Sequence, residues 1–181
     1  MTKRSEFEVL RKLHLENLPK VDDLLPLVAC TELSSLSLVN LSSLKNFSTI
    51  SYLPRLSELK LRGLQRLDHL SKLSCFDNDS TKSSSPKVLS LWLSALSIDD
   101  LTPLEDWREL NELHITDLSL RSLKPLANIR NLRKLHLDNI RPFGRLDDLI
   151  RCNNLEEIYL GRSFYQVDIP QKLLGRVRTV G

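Results

Sequence analysis

Trp92, His114 and His136 stand 22 residues apart in succession, and Tyr159 follows 23 residues after the last of them. Side chains of these types at a constant interval suggest two kinds of chemistry. Adjacent imidazoles can ligate a transition metal, whereas rigid amphipathic rings facing solvent are frequent anchors of protein interfaces. For the metal reading, His114 and His136 lack a third ligand or a nearby cysteine, so neither a metal nor a cofactor is expected. The acidic doublets Asp22-Asp23 and Asp99-Asp100 could do acid–base work, but neither has a partnering histidine. They read better as groups that accept free N–H donors at the start of short helical segments. The five glycines form no phosphate loop, and neither HExxH nor GxSxG occurs. No serine stands in a nucleophile context, so enzyme activity is not expected.

The element that must position these rings is a repeat. Val88-Leu-Ser-Leu91-Trp-Leu93 opens a stretch that Leu110-Asn-Glu-Leu113-His-Ile115 repeats 22 residues later, with Pro103 and Pro125 at the same offset. The register extends to seven units starting at Leu10, Leu33, Leu56, Val88, Leu110, Leu132 and Leu155. Every opening triplet, such as Leu33 with Leu36 and Leu38 or Leu155 with Ile158 and Leu160, is apolar. Alternation with polar neighbours predicts a half-buried strand per unit, and equal unit lengths predict that the strands stack in parallel. Apolar residues three apart, as in Leu41, Leu44, Phe47, Ile50 and Leu53, predict 3₁₀ turns or short helix on the return path. Pro103 is expected at the first helical position behind a Thr102 N-cap, with Pro26 and Pro125 placed similarly.

A 22-residue repeat opening LxxLxL resembles the leucine-rich repeat family. The 22-residue copies look like the short repeats of internalins and phosphatase regulatory subunits. The 23-residue units, and the one ending in Cys152-Asn-Asn-Leu155, look like those of trypanosomatid and plant immune proteins. The resemblance implies an α/β leucine-rich repeat solenoid, a right-handed superhelix with a curved parallel β-sheet on its concave face and short helices or 3₁₀ turns on its convex face. One position departs from the family. The ninth residue of each unit is Leu18, Leu41, Leu64, Leu96, Leu118 or Ile140, where the family carries an asparagine that bonds neighbouring turns. Backbone groups there need other partners.

Residues 1–181 are expected to form one domain, with an N-terminal cap over 1–9, repeats over 10–160 and a C-terminal cap over 161–181. Phe7 and Val9 are the apolar candidates for the first cap, and Phe164, Tyr165, Val167, Ile169, Leu173, Leu174 and Val177 for the second. A polar insert, 77–86, reads as a mobile surface loop whose serines could accept phosphate.

A formal charge of +3 with 27% charged residues calls for neither nucleic acid nor anionic lipid as partner. No stretch approaches the roughly 18 apolar residues of a membrane span, and no signal peptide opens the chain, so a cytoplasmic protein is expected, with a nuclear location left open. Cys30, Cys75 and Cys152 form an odd set near unit ends. Buried reduced thiols are expected, with Cys30 and Cys152 several strands apart and beyond disulfide reach.

In the repeat register the fifth position reads His14, Ser37, Lys60, Trp92, His114, His136 and Tyr159, a column facing away from the core. Around it stand Arg11, Lys12, Lys60, Arg62, Arg133, Lys134 and Arg162 against Glu16, Glu58, Glu112, Asp117, Asp138, Glu156 and Glu157. Mixed charge favours a protein or peptide partner over a phosphate backbone. The expected function is non-catalytic protein binding through the concave face. Trp92, His114, His136, Tyr159, Lys60, Arg62, Glu112, Lys134, Asp138 and Arg162 are the candidate contacts. The alternatives are a structural subunit held in a larger assembly by its convex face or ends and, more weakly, RNA binding on the rings.

Overall fold

The computed structural model describes residues 9–73, 88–141, 146–164 and 167–179. Phe7, Cys75, Tyr165 and the 77–86 insert lie outside the described residues. Eight strands form one parallel sheet in chain order: β1 Lys12–Glu16, β2 Ser35–Val39, β3 Glu58–Arg62, β4 Ser90–Ser94, β5 Glu112–Thr116, β6 Lys134–Asp138, β7 Glu157–Leu160 and β8 Val177–Thr179. Equivalent unit positions pair without slippage, as in Leu91 with Leu113 and Leu113 with Leu135. A one-residue slip would turn every leucine out to solvent, so burial itself enforces the register.

From β2 to β7 the fourth and sixth residues of each unit are at most 1% exposed. Between this sheet face and the return segments lies one continuous core, dominated by leucine. Each fully buried leucine contributes about 2 kcal/mol relative to solvent, and the same side chain recurs at equivalent points of the stack. Cys30 and Cys152 are buried and unpaired within it. The ends are looser. Leu13 and Leu15 of β1 are only partly buried and Val9 is 55% exposed, so the expected N-terminal lid is thin at that residue. At the far end Phe164 and Leu173 are buried as expected, but Leu174 is 57% exposed and closes nothing. The segment read as a cap also supplies β8, which pairs with β7 through Val177, Arg178 and Thr179. It carries no LxxLxL triplet, so periodicity could not announce it.

The return segments are 3₁₀ turns, among them Leu25–Ala29, Ser48–Tyr52, Thr102–Asp106 and Lys124–Asn128. Pro26, Pro103 and Pro125 sit in their first turns, where a missing N–H costs nothing. The N-cap position, however, is Leu101 and not Thr102. Asp100 does the capping from one residue further out: its Oδ1 accepts the Thr102 N–H at 2.9 Å and the Thr102 hydroxyl at 2.7 Å. The hydroxyl bond, then the backbone bond, hold the Asp100 carboxyl below its ordinary value. Asp23 likewise accepts the Leu25 N–H at 2.9 Å. The doublets therefore contribute caps, by their second member.

Each of β1 to β6 is followed by a left-handed residue at the eighth position of its unit: Asn17, Asn40, Gly63, Ala95, Asp117 and Asn139, with φ between 45° and 60°. Asn, Asp and Gly tolerate this conformation best, which explains most of the column's composition. From Asn17 to Asp117 their backbone N–H groups extend the sheet ladder, as when Asn40 donates to the Arg62 carbonyl at 2.9 Å, whereas the Asn139 N–H turns to the side chains of Asp138 and Ser163. Side chains add a partial amide ladder, Asn40 to Asn17 at 3.0 Å and Asn139 to Asp117 at 2.6 Å. The polar ladder thus runs one residue earlier than the resemblance implies. The ninth-position residues from Leu41 to Ile140 turn into the core instead.

Candidate functional site

Parallel strands lie about 4.8 Å apart, a spacing at which planar side chains at one register can lean together and stack. Trp92, His114, His136 and Tyr159 do so. Successive ring centroids are 4.4, 3.8 and 4.2 Å apart, with interplanar angles of 14°, 12° and 6°. Lys60, one strand earlier in the column, places its ammonium 4.4 Å from the Trp92 centroid and 2.9 Å from Glu58. At the other end of the column Arg178 pairs in register with Tyr159. The rings are partly buried by one another and not freely exposed, with the His114 and His136 side chains at 19% and 29% exposure.

Glu112 sits beside the stack because residues two apart on a strand share a face. Its Oε1 is 2.9 Å from His114 Nε2 and 3.3 Å from His136 Nε2, and its Oε2 accepts the Ser90 hydroxyl at 3.2 Å. Burial, then mutual charge repulsion, push the His114 imidazole below its ordinary value. Burial does the same to His136, against the opposing pull of Glu112. For Glu112, burial works upward but is outweighed by the hydrogen bond and charge of His114, and the carboxyl ends below its ordinary value. The consistent arrangement at neutral pH is an ionised carboxylate that accepts the His114 N–H, with the neutral His136 imidazole nitrogen 3.3 Å away.

Contrary to the expectation that His114 and His136 lack a third donor, Glu112 stands beside both. The ligand atoms of Glu112, His114 and His136 lie within 4.8 Å of one another. The remaining candidates spread around the ladder. Lys134 pairs with Glu157 at 3.1 Å. Asp138 spends one carboxylate oxygen on the Asn139 N–H and the Ser163 hydroxyl, each at 3.0 Å. Asp138 and Arg162 line a shallow concavity of about 250 Å³ with Thr116, His136 and Tyr159. A second concavity, about 470 Å³, lies at the strand starts between Ser90, Asn111 and Arg133. Arg62 ends β3 exposed, two residues beyond Lys60 and outside the stack. Ser90 and Arg178 escaped the sequence reading. Ser90 shares its face with Trp92, a signal that period two contains, whereas Arg178 lies on the strand that no triplet marks.

At the opposite end of the column His14 is a separate local pair, with Nδ1 2.9 Å from the Ser37 hydroxyl and Nε2 3.2 Å from Glu16. Among the described residues no helix is long and apolar enough to cross a membrane.

No protein-family model matches the chain, and no curated protein sequence matches it. Solved structures do. The crystal structure of an internalin C2 from Listeria monocytogenes aligns over 99% of this chain and 84% of its own, with a TM-score of 0.59 at 18% identity. That of an internalin, inlF, from the same organism aligns over 98% of this chain and 58% of its own, with a TM-score of 0.55 at 20% identity. With eight parallel strands in one sheet and 3₁₀ returns between them, the fold is that of a leucine-rich repeat solenoid with short, internalin-like repeats.

Proposed function

We infer that the chain is a non-catalytic binding module that takes a protein or peptide partner on the sheet face opposite its core. The observation that carries this reading is the unbroken stack of Trp92, His114, His136 and Tyr159. Mutual packing holds the four side chains in one rotamer each, so little entropy is left to lose on binding. Their edges, not their faces, are offered to a ligand. Edge presentation suits the mixed polar and apolar surface of a peptide, and both flanking concavities lie within β4 to β7. It disfavours RNA, because base recognition on aromatics needs a free ring face and the inner faces are taken.

Changing Trp92 and Tyr159 together to alanine is expected to abolish partner capture from native extract while circular dichroism stays unchanged. The alternative of a subunit held by its ends draws support from Leu18, Leu25 and Val28, which are 40%, 60% and 43% exposed near the first unit. Undiminished capture by the double variant, lost on changing Leu25 and Val28 to serine, would sink the concave-face reading in favour of the end. Binding that weakens steeply and linearly on a log–log plot against salt would instead mark a nucleic acid.

A further inference from the structure

Within the ring ladder three donors converge in a way that hydrogen bonding alone does not require. Glu112 Oε1 lies 2.9 Å from His114 Nε2 and 3.3 Å from His136 Nε2. In a tetrahedral zinc centre with bonds of roughly 2.0–2.1 Å, neighbouring ligand atoms stand ~3.3 Å apart. Both carboxylate–imidazole edges are thus near the span of a metal site before any ion arrives. The imidazole–imidazole edge is the one that must adjust. The two rings are stacked at 3.8 Å and 12°, which aims their nitrogen lone pairs side by side instead of at one point. Tilting the rings toward each other converges the lone pairs, and both side chains lie on the solvent side of the sheet, where such a tilt displaces no core atom.

We propose that Glu112, His114 and His136 form a binding site for a divalent transition-metal ion of the zinc class. Two imidazole nitrogens and one carboxylate oxygen suit zinc, whereas magnesium and calcium seek oxygen-rich cages. The second carboxylate oxygen of Glu112 is already held by the Ser90 hydroxyl at 3.2 Å, which orients Oε1 toward the two rings. The His114 proton moves from Nε2 to Nδ1 and His136 binds as the tautomer with its proton on Nδ1, so two neutral rings become ligands with no net loss of protons. Three protein donors leave a fourth position on the open face for water. The site depends on donor geometry and not on the interface reading above, and it stands or falls separately.

The test is zinc chloride titrated into the full chain by calorimetry, with histidine ring signals followed by NMR. The expected result is one ion per chain, with the His114 and His136 signals shifted and those of His14 and His69 unmoved. Glu112→Gln, His114→Phe and His136→Phe should each weaken zinc affinity at least tenfold; the phenylalanine variants keep a ring in the stack, and Glu112→Gln leaves both imidazoles. His14→Phe should bind as the parent does, although its imidazole also sits beside a carboxylate. Equal zinc affinity in the parent and Glu112→Gln chains, shifts confined to His14 or His69, or no binding at all would overturn the proposal.

Discussion

His114 and His136 stack face to face at 3.8 Å while their Nε2 atoms share one oxygen of Glu112. Each imidazole is thus held twice, by a ring neighbour and by the carboxylate, and neither can change rotamer without disturbing the other. Residues in such direct contact should couple energetically. In a double-mutant cycle with His114→Ala and His136→Ala, the coupling energy is expected at about 0.5–1.5 kcal/mol. Lys60→Met with Tyr159→Ala, two changes separated by three strands, should be additive. Chemical denaturation of the four chains in each cycle measures both.

Gly63 has a φ of 60°, and a Cβ placed there would lie 2.2 Å from Asn40 Oδ1. Gly63→Ala must therefore strain the backbone and push Asn40 off its bond to Asn17. The expected loss is about 1–3 kcal/mol, read as a fall in denaturation midpoint with an unchanged slope. Ala95, at the equivalent position, already tolerates a φ of 49°, so Ala95→Gly should gain stability or leave it unchanged.

Thr49 is 1% exposed and, among the described residues, its hydroxyl has no hydrogen-bond partner. A buried polar group without a partner costs roughly 1–3 kcal/mol. Thr49→Val exchanges that hydroxyl for a methyl of similar size and should raise the melting temperature. A lower melting temperature would show that the hydroxyl is satisfied.

Burial, reinforced by the charge of Asp148 against the opposing Arg176, pushes the Cys152 thiol up to about 11 from 9.0. A folded-state value above the unfolded one favours the protonated thiol in the native protein. The stabilisation is complete below about pH 9 and is lost as pH rises toward about 11, up to roughly 2–3 kcal/mol in all. Cys152→Ala should remove this part of the alkaline decline. At neutral pH Cys152, 4% exposed, should resist a thiol reagent until the chain is denatured.

Much of this molecule is legible from residue order alone, because a stacked repeat reuses one local pattern. A leucine triplet per unit identifies β1 to β7 and their inward faces, and equal spacing aligns Trp92, His114, His136 and Tyr159 in one column. Both inferences need only the period of a strand and the length of a repeat. Departures arise where a side chain chooses among nearby partners. Asp100 displaces Thr102 as the cap because its carboxylate, two residues back, accepts both the Thr102 N–H and the Thr102 hydroxyl, and Leu174 faces solvent although its type suits a core. β8 is recruited by the open edge of β7, which offers its backbone groups to any segment able to lie alongside.

Residue order therefore determined the scaffold and the adjacency of the rings, because burial of leucine at fixed intervals admits one register. Tertiary structure decided how those rings meet: face to face, partly buried, with Glu112 reaching two imidazoles on two strands. That outcome depends on ring tilt, rotamer and a few tenths of an ångström between neighbouring strands, and no pattern of residue types along one strand encodes it.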